Sequence, residues 1–415
     1  MLFSQLNQTT KALVLACREQ TGDDHQVELC TALANVDDWQ LFSEHLERHR
    51  INSIVGPKLL ATPEGVVPKS VKRALSTRLK LQAMKSAELA DELIRVVGLC
   101  DQQNISTLHY KGPAAAVDLY GDLYARPFGD LDFLIQREQV EPLLRLFLQE
   151  GYKTKLPESQ RVRALHYRYR KEIELRRRGI VFEPHFAFSP ASQAFDPGFE
   201  ALWRRRETIT LTGATRSGDL QSPNIEDLVL IYAVAGSILE WRRLPKIVDF
   251  ARAAEKLTNT SDDPEAAWQR VNNAAINMGW QRALLVSALL AHKLISASLP
   301  KPLLQHAESD PMVQRLASKV IGLLNKPLVK PSFLPRHHRV FKLFHWQCRE
   351  RLADRLRYLL TTTTIPGSDL MQRVPLPAGM NFAYRVITPL TDYVAHPLLR
   401  AGRLATRRLY IGKGN

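Results

Sequence analysis

Asp130 and Asp132 stand two residues apart in Gly129-Asp130-Leu131-Asp132-Phe133-Leu134-Ile135. The apolar run after Asp132 reads as a buried strand, and on a strand residues two apart share a face. Both carboxylates then project together, with Leu131 and Phe133 on the opposite face. Paired carboxylates repel unless a cation lies between them, and hard oxygen ligands suit Mg²⁺ or Mn²⁺. Upstream, Ile105–Tyr110 reads as a second short strand that runs into Lys111-Gly112 and an Ala-rich helical stretch. Such a junction can offer a phosphate backbone N–H groups and one cation. Arg126, four residues before Asp130, is placed for a bidentate phosphate contact, and its spacing fits a salt bridge with Asp118 or Asp122 equally well.

The elements that must hold these groups follow from periodicity. Val71–Cys100 has spaced Leu, Met, Ile and Val among charges and suits a long amphipathic helix after a Thr62–Gly65 loop. A helix spans Glu138–Glu150. Glu172–Leu175 and Ile180–Phe186 read as strands joined by an Arg176–Gly179 turn, and Ile209–Leu211 as an edge strand. Asn224 caps a helical stretch that continues from Leu228 to Leu257 with an interruption at Pro245. Two more helices fill Asp263–Met278 and Trp280–Ser298, and Arg349–Leu360 is amphipathic. The pattern is α+β: a small mixed β-sheet core flanked by largely helical N- and C-terminal regions. It divides into a helical region 1–103, a core 104–215, a helical domain 216–326 and a basic, Pro-interrupted tail 327–415.

The run Lys111–Ile135 resembles the signature of an uncharacterised nucleotidyltransferase family within the DNA-polymerase-β-like nucleotidyltransferase superfamily. It has Lys111-Gly112, then Arg126 shortly before Asp130-Leu131-Asp132, then an apolar strand. Asp37-Asp38-Trp39, His49-Arg50-Ile51, Glu183-Pro184-His185 and Trp241-Arg242-Arg243-Leu244 leading to Asp249 also look like that family. The resemblance implies Mg²⁺- or Mn²⁺-dependent transfer of a nucleoside monophosphate from an NTP, ATP among them, to an acceptor hydroxyl. It implies Asp130, Asp132 and Glu183 as catalytic and metal-binding acids, with Lys111, Gly112 and Arg126 on the nucleotide. Glu172 and Glu174 compete with Glu183 for the third acid. His185 could position a substrate hydroxyl or orient Glu183, and equally fits a packed core histidine. The chain departs from the superfamily pattern where Lys111-Gly112 replaces Gly-Ser, where Pro184 interrupts the third-acid strand, and where Tyr232–Trp241 lacks histidines.

Composition bounds the remaining readings. With 415 residues and 45% hydrophobic content, the chain can bury a large core. Cys17, Cys30, Cys100 and Cys348 form no CxxC pair and fit a reducing compartment. Ala12–Cys17, closed by Arg18, is too short for a signal peptide, and no apolar run approaches the roughly 20 residues of a membrane span. The expectation is a cytoplasmic protein. Net charge is +15, and residues 331–415 hold 14 Lys and Arg against 4 Asp and Glu. That tail could meet an anionic partner or form a solvated face. A sugar, another small molecule, a protein side chain or an RNA end all stay open as acceptors. A catalytically silent nucleotide- or partner-binding relative, and an RNA-binding or RNA-tailing protein stacking bases on Tyr167 and Tyr169, are the alternatives.

Overall fold

The structure, a computed structural model, describes residues 2–19, 22–156, 159–326, 342–366, 370–371, 374 and 376–391. Much of the expected basic tail, residues 327–341 and 392–415, lies outside the described residues. The fold is α+β, with helices surrounding one mixed four-stranded sheet and one two-stranded ribbon.

Alternation in Leu131-Asp132-Phe133-Leu134 makes the first strand, β1 (Leu131–Leu134). After the helix Val140–Gln149 come β2 (Lys153–Thr154), the helix Gln160–Tyr169, β3 (Leu175–Arg177) and β4 (Ile180–His185). The order is β1-β4-β3-β2, with β1 and β4 parallel and the other pairs antiparallel. Arg178 and Gly179 form the β3–β4 turn, both at positive φ (48° and 80°), the backbone a two-residue hairpin turn requires. Leu131, Phe133, Phe182 and Leu175 are buried on one sheet face with Phe147 of the helix Val140–Gln149. Phe182 meets Phe147 and Phe133 edge-on, with centroids 5.2 and 6.0 Å apart.

The long helix Lys69–Gln102 closes this core with Leu89, Leu93, Val96 and Cys100, spaced four, three and four residues apart on one side. Against it lies a ribbon of β5 (Glu207–Thr212) and β6 (Ser217–Ser222). Asp91 on the long helix accepts from Thr215 N (3.0 Å), Thr215 Oγ1 (2.8 Å) and Arg216 N (3.0 Å), which anchors the ribbon's turn. A second, larger core joins the N-terminal helices to Ile225–Ile238, Pro245–Thr260, Gln281–Leu290 and Pro311–Leu324. Leu134 and Tyr110 belong to this larger core, whereas Leu131 and Phe133 belong to the smaller one. The polar face of β1 therefore lies at the seam between the two.

Several elements differ from expectation. Ile105–Tyr110 is not a strand. Leu108 exchanges hydrogen bonds with Leu134 (2.9 and 2.8 Å), but His109 N then donates to Gln221 O (2.7 Å), so the backbone changes partner before a ladder can form. The ribbon has twice the expected strands because Ser217–Ser222 is mostly polar and buries chiefly Leu220. A residue with no N–H to donate belongs at an edge or bulge, yet Pro184 lies on β4, an inner strand. Its missing N–H falls beyond the end of β3, where Ile173 N donates to Pro184 O (3.2 Å) and needs no return bond. The helix expected through Leu228–Leu257 breaks at Glu240 and Trp241, both at positive φ, and Pro245 opens the next helix.

Candidate active site

Parallel pairing sets Asp132 on β1 beside Glu183 on β4, and Leu134 beside His185. One donor atom each from Asp132, Glu183 and His185 lies within 4.8 Å of the others. His185 Nε2 is 2.8 Å from Asp132 Oδ1 and 3.3 Å from Glu172 Oε2. Lys111 Nζ donates to Asp132 Oδ1 (3.3 Å), and Lys171 Nζ lies 3.4 Å from His185 Nδ1 while also pairing with Glu172. Asp130 precedes β1, half-buried, and stands outside this closest group. Glu174 is turned to Arg176 (2.7 Å) instead.

The charges are unevenly compensated. Burial alone would raise the Asp132 carboxyl, but the Lys111 ammonium and the His185 hydrogen bond hold it well below the usual range. Glu183 moves the other way, to about 7, through burial and the negative charges of Glu172, Asp132 and Asp130. Burial and Asp132 likewise raise Asp130. His185 falls to about 4 through burial and the two lysines, so it is neutral at pH 7. Among the described residues Nδ1 faces only the Lys171 ammonium, whereas Nε2 faces the Asp132 and Glu172 carboxylates as well as Lys111 Nζ (3.4 Å), so the balance of charge puts the lone pair on Nδ1. Assigned from these partners, the ring proton sits on Nε2 and is donated to Asp132. With Nε2 so engaged, the carboxylates of Asp132 and Glu183 are the cluster's charged ligands for a cation. An acidic group with too little positive charge fits a hard dication, which prefers oxygen ligands about 2.0–2.6 Å away.

Lys111 ends the segment that leads into the helix Gly112–Tyr120, whose N-terminus carries no side-chain cap. Gly112 has φ +56°, a backbone that favours glycine, and its Cα side faces the Asp130 carbonyl. The helix N-terminus, without a side-chain cap, thus lies beside Asp130.

A profile for the family described as "Uncharacterised nucleotidyltransferase" matches residues 35–296. The chain belongs to this family. No curated protein and no solved structure matches it. Among the described residues no helix is long and apolar enough to cross a membrane.

The family match contains both the acid cluster and Arg126, which the structure places differently from expectation. Arg126 is 7% exposed and gripped by Asp249, with Nε–Oδ1 at 2.8 Å and Nη2–Oδ2 at 2.9 Å. Tyr120 Oη adds a third bond to Asp249 (2.8 Å). The physical reason is Asp249 itself: a fully buried carboxylate needs a paired, hydrogen-bonded cation. Neither Asp118 nor Asp122 fills that role.

The residues Lys171 and Lys246 escaped the sequence reading. Lys246, in the first turn of Pro245–Thr260, has no ion pair among the described residues. Burial brings it down to about 8 against the pull of Asp249. The basic run Arg161–Arg178 was a signal for Lys171, but its pairing with His185 depends on the sheet. Tyr167 and Tyr169 lie on a helix, not a strand. Tyr167 donates to Glu141 (3.0 Å) and packs on Phe186, and Tyr169 packs with Met371 and Tyr384. Neither is a free platform for a base.

Proposed function

We propose that this family member transfers a nucleoside monophosphate from an NTP to an acceptor hydroxyl. The observation that carries the reading is the convergence of Asp132 and Glu183 across the β1–β4 pair, with Asp130 and Lys111 beside them. Asp130, Asp132 and Glu183 would hold Mg²⁺ or Mn²⁺, whose charge would offset that of the triphosphate. Lys111, the N-terminus at Gly112 and Lys246 would bind phosphate oxygens. The acceptor oxygen attacks the α-phosphorus, the bond to the β-phosphate oxygen breaks, and pyrophosphate leaves with the electron pair. A carboxyl poised near neutrality is suited to take the acceptor's proton, and Glu183 fits that role. His185 holds Asp132 in place. Arg126 we assign to structure.

A second reading is a relative that binds nucleotide without turnover. One observation favours it: Asp130 stands outside the closest donor group, so Asp132 and Glu183 converge without it. Incubating the full chain with each NTP, Mg²⁺ or Mn²⁺ and candidate acceptors, followed by intact mass measurement, separates the two. Transfer adds one nucleoside monophosphate to an acceptor or to the protein. NTP binding with no mass gain and no pyrophosphate supports the silent relative.

A further inference from the structure

The sheet face that carries Asp132 and Glu183 does not end at the acids. Period two puts Val181 on the Glu183 side of β4, about 7 Å along the strand. Register then aligns Arg176 of β3 with Val181, and Lys153 of β2 with Arg176. A groove of ≈ 680 Å³ opens at this end of the sheet, lined among others by Lys153, Lys155, Glu174, Arg176, Arg178 and Val181. Among the described residues, Lys153, Lys155 and Arg178 have no ion pair, and all three are exposed. Arg176 is paired with Glu174 (2.7 Å), and the charge of Glu183 also reaches it. Net positive charge thus continues from the acids to the sheet edge. The volume suits a small molecule, and among the described residues no aromatic side chain lines the groove. Without a stacking platform, a run of nucleic-acid bases has little to hold it there.

We propose that this groove binds the acceptor, and that the acceptor is a small hydroxyl compound carrying a phosphate group. Its phosphate lies among Lys153, Lys155 and Arg178, and its hydroxyl reaches back to Glu183. The proposal rests on the transferase reading only for the role of the bound compound; the anion site itself can be tested separately.

Full-length protein is titrated with ribose 5-phosphate, ribose and inorganic phosphate, with binding followed by calorimetry. The same titrations use Lys153→Glu/Lys155→Glu/Arg178→Glu, an exposed set whose charge reversal spares both cores. Ribose 5-phosphate and phosphate should bind the wild type and ribose should not. The triple variant should lose at least tenfold in affinity for both anions while keeping its NTP affinity. Equal binding of the anions by the variant, or no anion binding by the wild type at millimolar concentration, overturns the proposal. A short RNA that displaces ribose 5-phosphate and is itself extended would also overturn it, in favour of nucleic acid. A wild type that binds the anions in the groove but transfers nothing from any NTP would refute the transferase reading while leaving the anion site standing.

Discussion

Glu183 departs from an ordinary carboxyl in holding its proton towards neutrality. Its folded value is raised from 4.5 to about 7, so the folded state holds a proton that the unfolded chain has already released. The stabilisation from this proton is complete below about pH 4.5 and is lost as pH rises through 7. Glu183→Gln, which cannot ionise, should therefore gain stability over wild type between pH 5 and pH 8. We expect a gain of about 1–2 kcal/mol, allowing for the group's partial exposure, read by urea unfolding with EDTA present. A difference that does not change with pH would mean that Glu183 ionises normally. In turnover, the same variant should lose far more rate than NTP affinity. Lys171→Met tests the histidine. In ¹⁵N spectra the wild-type His185 should be neutral with its proton on Nε2, and removing the ammonium should bring the other tautomer into the population. An unchanged spectrum would separate Lys171 from the ring.

At the scale of elements, the Arg126–Asp249 pair ties the loop before β1 to the helix Pro245–Thr260. Arg126→Ala strands a fully buried carboxylate, which should cost about 3–5 kcal/mol of unfolding free energy. NTP affinity of the folded variant should change little. Lys111→Ala should weaken NTP binding by about 1.5–3 kcal/mol, the scale of a hydrogen bond to a charged group. An Arg126→Ala protein of wild-type stability with weakened NTP binding would return that residue to the triphosphate. The acid strand was legible in the sequence because Leu131, Asp132 and Phe133 alternate within one short segment. The β3–β4 hairpin was legible because Arg178-Gly179 lies between two apolar runs. Asp249 stood out only through the family resemblance and not as the partner of Arg126, which is 123 residues away, since nothing local distinguishes a buried carboxylate. Lys171 and β6 escaped for a related reason: polar residues acquire their roles only when a sheet or a helix brings a distant neighbour beside them.

Across the whole molecule, the acids sit at the seam of two cores, β1 giving Leu131 and Phe133 to one and Leu134 to the other. A ligand that bridges the seam stabilises both lobes together by mass action, about 2.7 kcal/mol at a concentration 100 times Kd. An NTP with Mg²⁺ should accordingly raise the melting temperature of wild type more than that of Asp132→Asn. Asp132 is itself buried and ion-paired, so the variant is to be compared at its own unliganded baseline. The role proposed for Asp132 and Glu183 is to support nucleotidyl transfer. Its most direct test is pyrophosphate release from each α-labelled NTP, with Mg²⁺ or Mn²⁺ and a pool of neutral and phosphorylated hydroxyl compounds. At least one NTP should yield pyrophosphate and a labelled product in equal amounts, and Asp132→Asn and Glu183→Gln, both folded, should abolish or severely slow this. No pyrophosphate from any NTP with wild type, or release by the two variants at the wild-type rate, would show that these acids do not carry out the transfer.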